Sequence, residues 1–294
     1  MWIAGSTIGL RRILVLFVIG TLLCSFLGPF PVLFYCSVGL LVGSLITIAY
    51  IVYNYGIFVR LYSWTDHGYS HEVRQYVNFI NPKENYRGIC KKGNVNPYGW
   101  DSRIYTTPRK EWAYFDIIRQ LLNANRRRFP QRTLLLGGGG GSIPYCISDL
   151  YPIPQIEAIE ISKQMICVAK RYFCRTSNHQ KIKWIHQDAF THIKQSANTH
   201  RTYDCIIVDL FENGSLPKFI FHASYIRSLH SILESGGLLF MNFGWKNVDI
   251  KRLKSLYAKT FNNYKLYLYN YPYNRNIIGV NWSIPPDAHL LSLN

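Results

Sequence analysis

"TLLLGGGGGSIPYC", residues 133–146, sets five consecutive glycines directly after a short apolar run. Glycine reaches positive φ without steric penalty and lets another group approach the backbone closely, although each one raises the entropy lost on folding. Five of them at the carboxyl end of an apolar segment read as a tight turn against a ligand. A flexible linker is the alternative, but a linker is rarely bounded by Leu134-Leu135-Leu136 on one side and Ser142-Ile143-Pro144 on the other. Pro144 suits the first turn of a helix and Ser142 suits its cap, so the local reading is strand, glycine turn, helix.

The segments that follow repeat this unit. Thr133 to Leu136 reads as a first strand, and the chain continues with a helix at Pro144 to Leu150, a strand at Gln155 to Ile159 and a helix at Lys163 to Phe173. Next come a strand at Ile182 to His186, a helix near Phe190 to Gln195 and a strand at Tyr203 to Val208. A helix at about Phe221 to Leu233 and a strand at Gly237 to Asn242 complete the series, with Gly236-Gly237 as a turn. Strands alternating with helices imply a doubly wound, mostly parallel α/β sheet of the Rossmann-like kind. Cys205 to Val208 is an unbroken apolar run, as a central strand buried on both faces requires. Tyr267, Tyr269, Tyr271 and Tyr273 then recur at period two and precede Ile277 to Trp282, which predicts an antiparallel hairpin at the C-terminal edge of the sheet. Bases could stack on those tyrosines, but packing on a half-buried strand is the commoner use of such a pattern.

The N-terminal part is of another kind. From Ile13 to Val59 there is no Asp, Glu, Lys or Arg. A bilayer span takes about 20 apolar residues as a helix. Two such lengths, Ile13 to roughly Leu27 and Val32 to Tyr53, flank the break at Gly28-Pro29-Phe30-Pro31. A buried soluble helix pair would carry a polar stripe, and a secretory signal would end in a small-residue cleavage site; neither is present, so two transmembrane helices forming a hairpin are expected. Arg11 and Arg12 before the first span and Arg60 after the second place both ends in the cytoplasm by the positive-inside rule. The expected organisation is a membrane hairpin over 1–62, a small β-rich subdomain over 63–130 and a Rossmann-like domain over 131–294, held at the cytoplasmic membrane.

Seven scattered cysteines with no C-x-x-C pair suit a reducing compartment and offer neither a disulfide framework nor a zinc site. The nine histidines show no metal-ligand spacing, and no metal is expected. Thirty-three Lys and Arg against sixteen Asp and Glu give a net charge of +17. In a membrane-bound chain such a charge is drawn to anionic lipid. Nucleic acid is the less favoured partner, because no zinc-finger, KH or RNP-type motif accompanies the charge.

In an open α/β sheet, ligands bind at the carboxyl ends of the strands. The first strand ends in Gly137 to Gly141, the second in Glu160, the third in Gln187-Asp188-Ala189 and the fourth in Asp209-Leu210-Phe211-Glu212. Any one of these carboxylates could be a helix cap, but glycine, acid, acid, acid at four consecutive strand ends is a constellation. A nicotinamide cofactor would explain the first two, yet Ser142 replaces the third glycine of G-x-G-x-x-G and Asp188 has no role in that fingerprint. An adenosyl sulfonium explains three: backbone at Gly137, Gly138, Gly139 and Gly141, ribose at Glu160, and the adenine amino group at Asp188 with Ala189 beside it.

"LLLGGGGGSIP", "IEAIEISKQMICVAKRYF", "KIKWIHQDAF" and "YDCIIVDLFENGSLP" resemble, in order and spacing, the motifs of spermidine synthase and its relatives, aminopropyltransferases built on the class I methyltransferase fold. The resemblance spans roughly residues 100 to 245, with a weaker echo at "KEWAYFDII". It implies decarboxylated S-adenosylmethionine as donor, a diamine as acceptor and Asp209 as the carboxylate that orients and deprotonates the attacking amine. It also implies substrate contacts at Tyr114 and Glu212, and a homodimer is compatible with it. Three positions depart from the pattern. Gly140 stands where the family has an acid in its glycine loop, Glu212 where it has a second Asp, and Phe115 where it has a histidine.

These departures leave three hypotheses: a membrane-anchored aminopropyltransferase of polyamine biosynthesis, a methyltransferase using intact S-adenosylmethionine on an unknown acceptor, and a non-catalytic relative that binds the donor.

Overall fold

A computed structural model describes residues 2–3, 30–55, 57–92, 101–105, 118, 122, 130–151, 153–174, 180–212, 215–243, 250–262, 265–271, 274–280 and 290–292. The chain forms two compact units, Met1–Arg109 and Lys110–Asn294.

The first unit holds a helix, α1 (Phe30–Tyr55), and a five-stranded antiparallel sheet of β1 (Trp2–Ile3), β2 (Ile57–Asp66), β3 (Tyr69–Val77), β4 (Tyr86–Lys91) and β5 (Ser102–Tyr105), in that order across the sheet. β2, β3 and β4 form a meander held by an aromatic cluster, in which the rings of Phe58 and Tyr76 lie 5.2 Å apart and those of Tyr76 and Tyr86 stack at 4.9 Å.

The second predicted span falls within α1, whose sequence has no acidic residue in its first turn and no basic residue in its last. The first span, Ile13 to Leu27, lies outside the described residues. Side chains of α1 are described only from 38 to 50, a stretch shorter than a bilayer crossing takes. Among the described residues no helix is long and apolar enough to cross a membrane. The expected hairpin of two transmembrane helices is therefore not shown.

The second unit is the doubly wound sheet. Its strands are β6 (Arg132–Leu136), β7 (Gln155–Glu160), β8 (Ile182–His186), β9 (Tyr203–Val208), β10 (Leu233–Asn242), β11 (Lys265–Tyr271), β12 (Asn274–Val280) and β13 (Leu290–Ser292), in the spatial order β13-β11-β12-β10-β9-β6-β7-β8. β6 to β10 run parallel. The C-terminal hairpin is present and antiparallel, and it is β12, the later strand, that inserts beside β10. Tyr273 and residues 281–282 of the predicted hairpin lie outside the described residues.

The helices α2 (Ser142–Leu150), α3 (Lys163–Val168), α4 (Ala189–Asn198), α5 (Ala223–Ser231) and α6 (Ile250–Thr260) belong to this unit. Along each strand, successive side chains face opposite sides, so a strand covered on both sides is apolar throughout. β9 shows this directly, with Cys205, Ile206, Ile207 and Val208 all buried. Leu134, Leu136, Ile206, Val208, Leu239 and Met241 form one side of the core with Ile193 of α4, Tyr225 and Leu229 of α5, and Tyr257 of α6.

Three local expectations are corrected. Ser142 is the first residue of α2 rather than its cap; the cap position belongs to Gly141 in the left-handed conformation, φ +88°. The helix expected over Lys163 to Phe173 is α-helical only to Val168 and widens into a π-helical turn over Ala169–Phe173. The turn at Gly236-Gly237 lies inside β10, whose register against β9 shifts between Leu233 and Leu238.

Candidate active site

The sheet changes its direction of growth at β6. β7 and β8 lie to one side of it, β9 and β10 to the other. Such a switch point, outside the carboxyl ends of the strands, is where open α/β sheets bind ligands. The residues that follow β6 and β9 are Gly137 and Asp209.

Backbone geometry explains why the loop after β6 is glycine. The amides of Gly137 and Gly138 both donate to the carbonyl of Ile159 at 2.9 Å, and the Asp209 amide donates to the Leu136 carbonyl at 2.9 Å, so the loop is stitched between the two neighbouring strand ends. Gly137 has φ +86°, and a Cβ there would run into the Asp209 carbonyl. At Gly138 a Cβ would lie 2.5 Å from a ring carbon of Trp184. Only residues without side chains let the turn lie this close to β9 and to Trp184, which leaves its outer face as bare backbone.

Glu160 ends β7 and reaches back to that loop. Its Oε2 accepts from the Gly139 amide at 2.8 Å, and its Oε1 accepts from the Ser162 amide at 2.9 Å. A carboxylate oxygen has two lone pairs, so a group that holds the loop in this way is also of the kind that takes a ribose hydroxyl. Gly140 lies in the turn between Gly139 and Gly141.

Asp188 is the cap of α4: its Oδ1 accepts from the Thr191 amide and from the Thr191 hydroxyl, both at 2.8 Å. The cap reading of this residue is thus realised through one of its two oxygens. Ala189, the next residue, is buried as the first residue of α4.

A polar chain that sequence reasoning missed, buried at His192, Tyr203 and Glu157, runs inward from this turn. The Gln187 side chain donates to Gln195 Oε1 at 2.7 Å and meets His192 Nδ1 at 2.9 Å. His192 Nε2 lies 3.3 Å from the Tyr203 hydroxyl, which donates to Glu157 Oε2 at 2.9 Å, and Glu157 is ion-paired with Arg201. Burial holds the His192 imidazole below its ordinary pKa. The available signal was Glu157 itself, a charge inside the apolar run Ile156 to Ile159, which demands a partner when buried.

Asp209 is the chemically distinctive group. Burial pushes its carboxyl from 3.8 up to about 6, against the opposing pull of a hydrogen bond from Asn242. Asn242 ends β10, and the parallel register that sets Met241 against Val208 brings its amide beside Asp209; Nδ2 donates to Asp209 Oδ1 at 2.7 Å. Asn242 was also missed, although it is the polar residue at the end of the fifth strand and obeys the same rule that selected the other four ends. A half-buried carboxylate, fixed at one oxygen and titrating close to neutrality, is suited to accept a proton.

The remaining predicted residues do not join this group in the same way. Glu212 is exposed in the loop after β9, where its backbone pairs with Ser215 at 2.7 and 2.9 Å. Tyr114 and Phe115 lie outside the described residues. Among the described residues no cluster of His, Cys, Asp and Glu could hold a metal ion.

Comparison with known proteins gives a consistent set of similarities. The model of the spermine/spermidine synthase domain matches residues 120–283, more than half of the chain. The polyamine aminopropyltransferase of Vibrio vulnificus is 27% identical over 190 residues, 63% of this chain and 56% of that one. Spermidine synthase 2 of Arabidopsis thaliana is 28% identical over 155 residues, 51% of this chain and 45% of that one. The chain thus spans about half the length of the curated relatives it matches. Among solved structures, a probable spermidine synthase from Corynebacterium glutamicum superimposes with a TM-score of 0.57 at 18% identity, covering 76% of this chain and 81% of that one. Spermidine synthase from Thermotoga maritima does so with a TM-score of 0.53 at 16% identity, covering 76% and 73%. These two likenesses show the fold.

Proposed function

The chain belongs to the spermine/spermidine synthase domain family, and from that premise we propose that it is a transferase that moves the aminopropyl group of decarboxylated S-adenosylmethionine to an amine. The observation that carries the proposal is Asp209, a shielded carboxylate held by Asn242 at the switch point of the sheet, next to a glycine turn that only bare backbone can form.

The residues present fit an adenosyl sulfonium donor. The bare loop of Gly137 to Gly141 gives the backbone surface, Glu160 the ribose acceptor, and Asp188 with Ala189 the adenine end. When bound, the donor supplies an electrophilic carbon attached to a positively charged sulfur. The protein's own part is to prepare the nucleophile. An alkylamine is protonated at neutral pH; Asp209, ionised above about pH 6, holds the ammonium and takes one proton from it. The freed nitrogen pair forms the new C–N bond as the C–S bond breaks, and the electrons of that bond neutralise the sulfonium as a thioether. Because the leaving group is neutral, alignment of nitrogen, carbon and sulfur supplies most of the acceleration.

One observation favours a second reading. Gly140 removes the loop carboxylate that would meet the aminopropyl ammonium, and intact S-adenosylmethionine carries its own carboxylate. A eukaryotic elongation factor 1A lysine and N-terminal methyltransferase of Xenopus laevis is 28% identical over 131 residues, 42% of this chain and 18% of that one. In that reading the same site transfers a methyl group.

We further propose that the chain works at the cytoplasmic face of a membrane. Val38, Leu40, Leu41, Val42, Leu45, Ile46 and Tyr50 of α1 are all exposed, and exposed apolar area of that kind marks an interaction surface. The net charge of +17 favours an anionic leaflet.

Calorimetric titration with each donor separates the two chemistries. Tighter binding of the decarboxylated donor is expected; tighter binding of the intact donor overturns aminopropyl transfer in favour of methyl transfer.

A further inference from the structure

Among the described residues of the first unit beyond α1, the most exposed large apolar side chains are neighbours in one turn, Phe79 at 50% and Ile80 at 51% exposure. The turn is built rather than loose. Asn78 Oδ1 accepts from the amides of Ile80 and Asn81 at 3.0 and 2.9 Å, and Asn85 Oδ1 accepts from the Asn78 amide at 2.6 Å. An asparagine that bonds the backbone two and three residues ahead fixes a turn. Here it presents two large hydrophobic side chains to the outside at the tip.

Register tells where that tip lies. Ile57 pairs with Val77 and Phe58 with Tyr76. The tip follows Val77 directly, and Ile57 begins β2 two residues after α1 ends at Tyr55. The Phe79–Ile80 turn and the end of α1 therefore share one end of the five-stranded sheet. The same end carries the stacked rings of Tyr76 and Tyr86, with Phe58 against them. Apolar tip and helix end thus coincide above a buried aromatic cluster, with Phe58 and Tyr86 inside the core, and large apolar side chains held outward in this way suit the headgroup boundary of a bilayer.

We propose that the Phe79–Ile80 turn is a lipid-contacting tip that seats the five-stranded sheet on the membrane surface beside the end of α1. The occupant is the interface of an anionic bilayer. Lys83 and Glu84 of the one-turn helix Pro82–Glu84 offset each other within the loop, so the preference for an anionic bilayer rests on the net charge of +17 of the whole chain. A protein partner would meet the same two side chains, but it would not account for the uncharged stretch from Ile13 to Val59 that leads into this end of the sheet. The proposal rests on the membrane reading given above for α1, and its test is arranged so that the two can fail separately.

The photo-crosslinking residue p-benzoylphenylalanine, placed in the full-length chain, substitutes one aromatic for another at three sites. Phe79 tests the tip, Tyr50, 64% exposed on α1, tests the helix, and Tyr69 is the control. Tyr69 begins β3, eight residues before Val77, which at about 3.3 Å per residue puts it roughly 25 Å away along the strand. Each variant is reconstituted in vesicles of phosphatidylglycerol and phosphatidylcholine containing a fluorescent phospholipid, then illuminated. Fluorescent adduct is expected at positions 79 and 50, with none at 69. Adduct at 50 alone overturns the tip and leaves the helix reading intact. Adduct at 79 alone supports the tip and overturns the helix reading. Adduct at neither position, or at all three alike, overturns both, and a protein adduct in place of lipid at 79 overturns the tip in favour of a protein-binding surface.

Discussion

Asn242 Nδ2 and Asp209 Oδ1 meet at 2.7 Å across the carboxyl ends of two adjacent parallel strands. Burial raises the pKa of Asp209 and this hydrogen bond lowers it, so the pair sets the pH at which the carboxylate exists. It also fixes one oxygen of the carboxylate.

Asp209→Asn should remove turnover and leave donor affinity nearly unchanged, while making the protein more stable at neutral pH. The sign follows from the direction of the shift. A carboxyl whose pKa is higher folded, about 6, than unfolded, near 3.8, stabilises the fold fully below about pH 4, and that contribution is lost as pH rises through 6. The amide has no such titration and can still accept from Asn242. Chemical denaturation at pH 7.5 should find the variant more stable by about 1 to 3 kcal/mol, with little difference at pH 4; a variant less stable at neutral pH would contradict the assigned burial.

Turnover of the parent should fall on the acid side with an apparent pKa near 6, because only the ionised carboxyl accepts the ammonium proton. Asn242→Leu removes the hydrogen bond that favours ionisation. The acid limb should then move up by about one pH unit, equivalent to about 1.4 kcal/mol. The elements packed against the end of β9 offer no titratable side chain there among the described residues: β6 ends in Leu136 and is followed by Gly137, and β10 ends in Asn242. An unmoved limb in a folded variant would give that acid limb to a different group.

Gly138→Ala should abolish donor binding and destabilise the chain, since the new methyl group meets the Trp184 ring at 2.5 Å. Combining it with Trp184→Leu should restore part of the lost stability, and thermal unfolding of the single and double variants reads the coupling directly. Equal losses in both would mean that the obstacle is backbone conformation rather than the ring.

The two roles of Asp188 separate by choice of replacement. Asp188→Ala removes both the cap of α4 and any adenine contact, and should cost about 1 kcal/mol of stability. Asp188→Ser keeps a capping oxygen for Thr191 and should hold stability close to the parent, yet lose about 1 to 3 kcal/mol of donor affinity. Parental affinity in the serine variant would leave Asp188 as a cap alone.

The doubly wound sheet was legible because its signals are local. β8 and β9 lie where the strand readings over Ile182 to His186 and Tyr203 to Val208 put them, and four of the five candidate strand ends followed from one rule about sheets. Asn242 escaped because its importance is relational: nothing in "LLFMN" says which strand lies beside it. Glu157, Tyr203 and His192 escaped for the same reason, being joined only when β7, β9 and α4 are packed. Ser142 was misread because the preceding glycine can enter the left-handed region and take the cap position itself. The membrane hairpin rested on hydropathy alone, and the described residues include only part of the segment on which it was based.

The most direct test of aminopropyl transfer through Asp209 is mass spectrometry of the products formed by the full-length chain from decarboxylated S-adenosylmethionine and a diamine. The account predicts methylthioadenosine and a polyamine longer by one aminopropyl unit, both absent with Asp209→Asn. No product from that donor, with S-adenosylhomocysteine formed instead from intact S-adenosylmethionine, would contradict it.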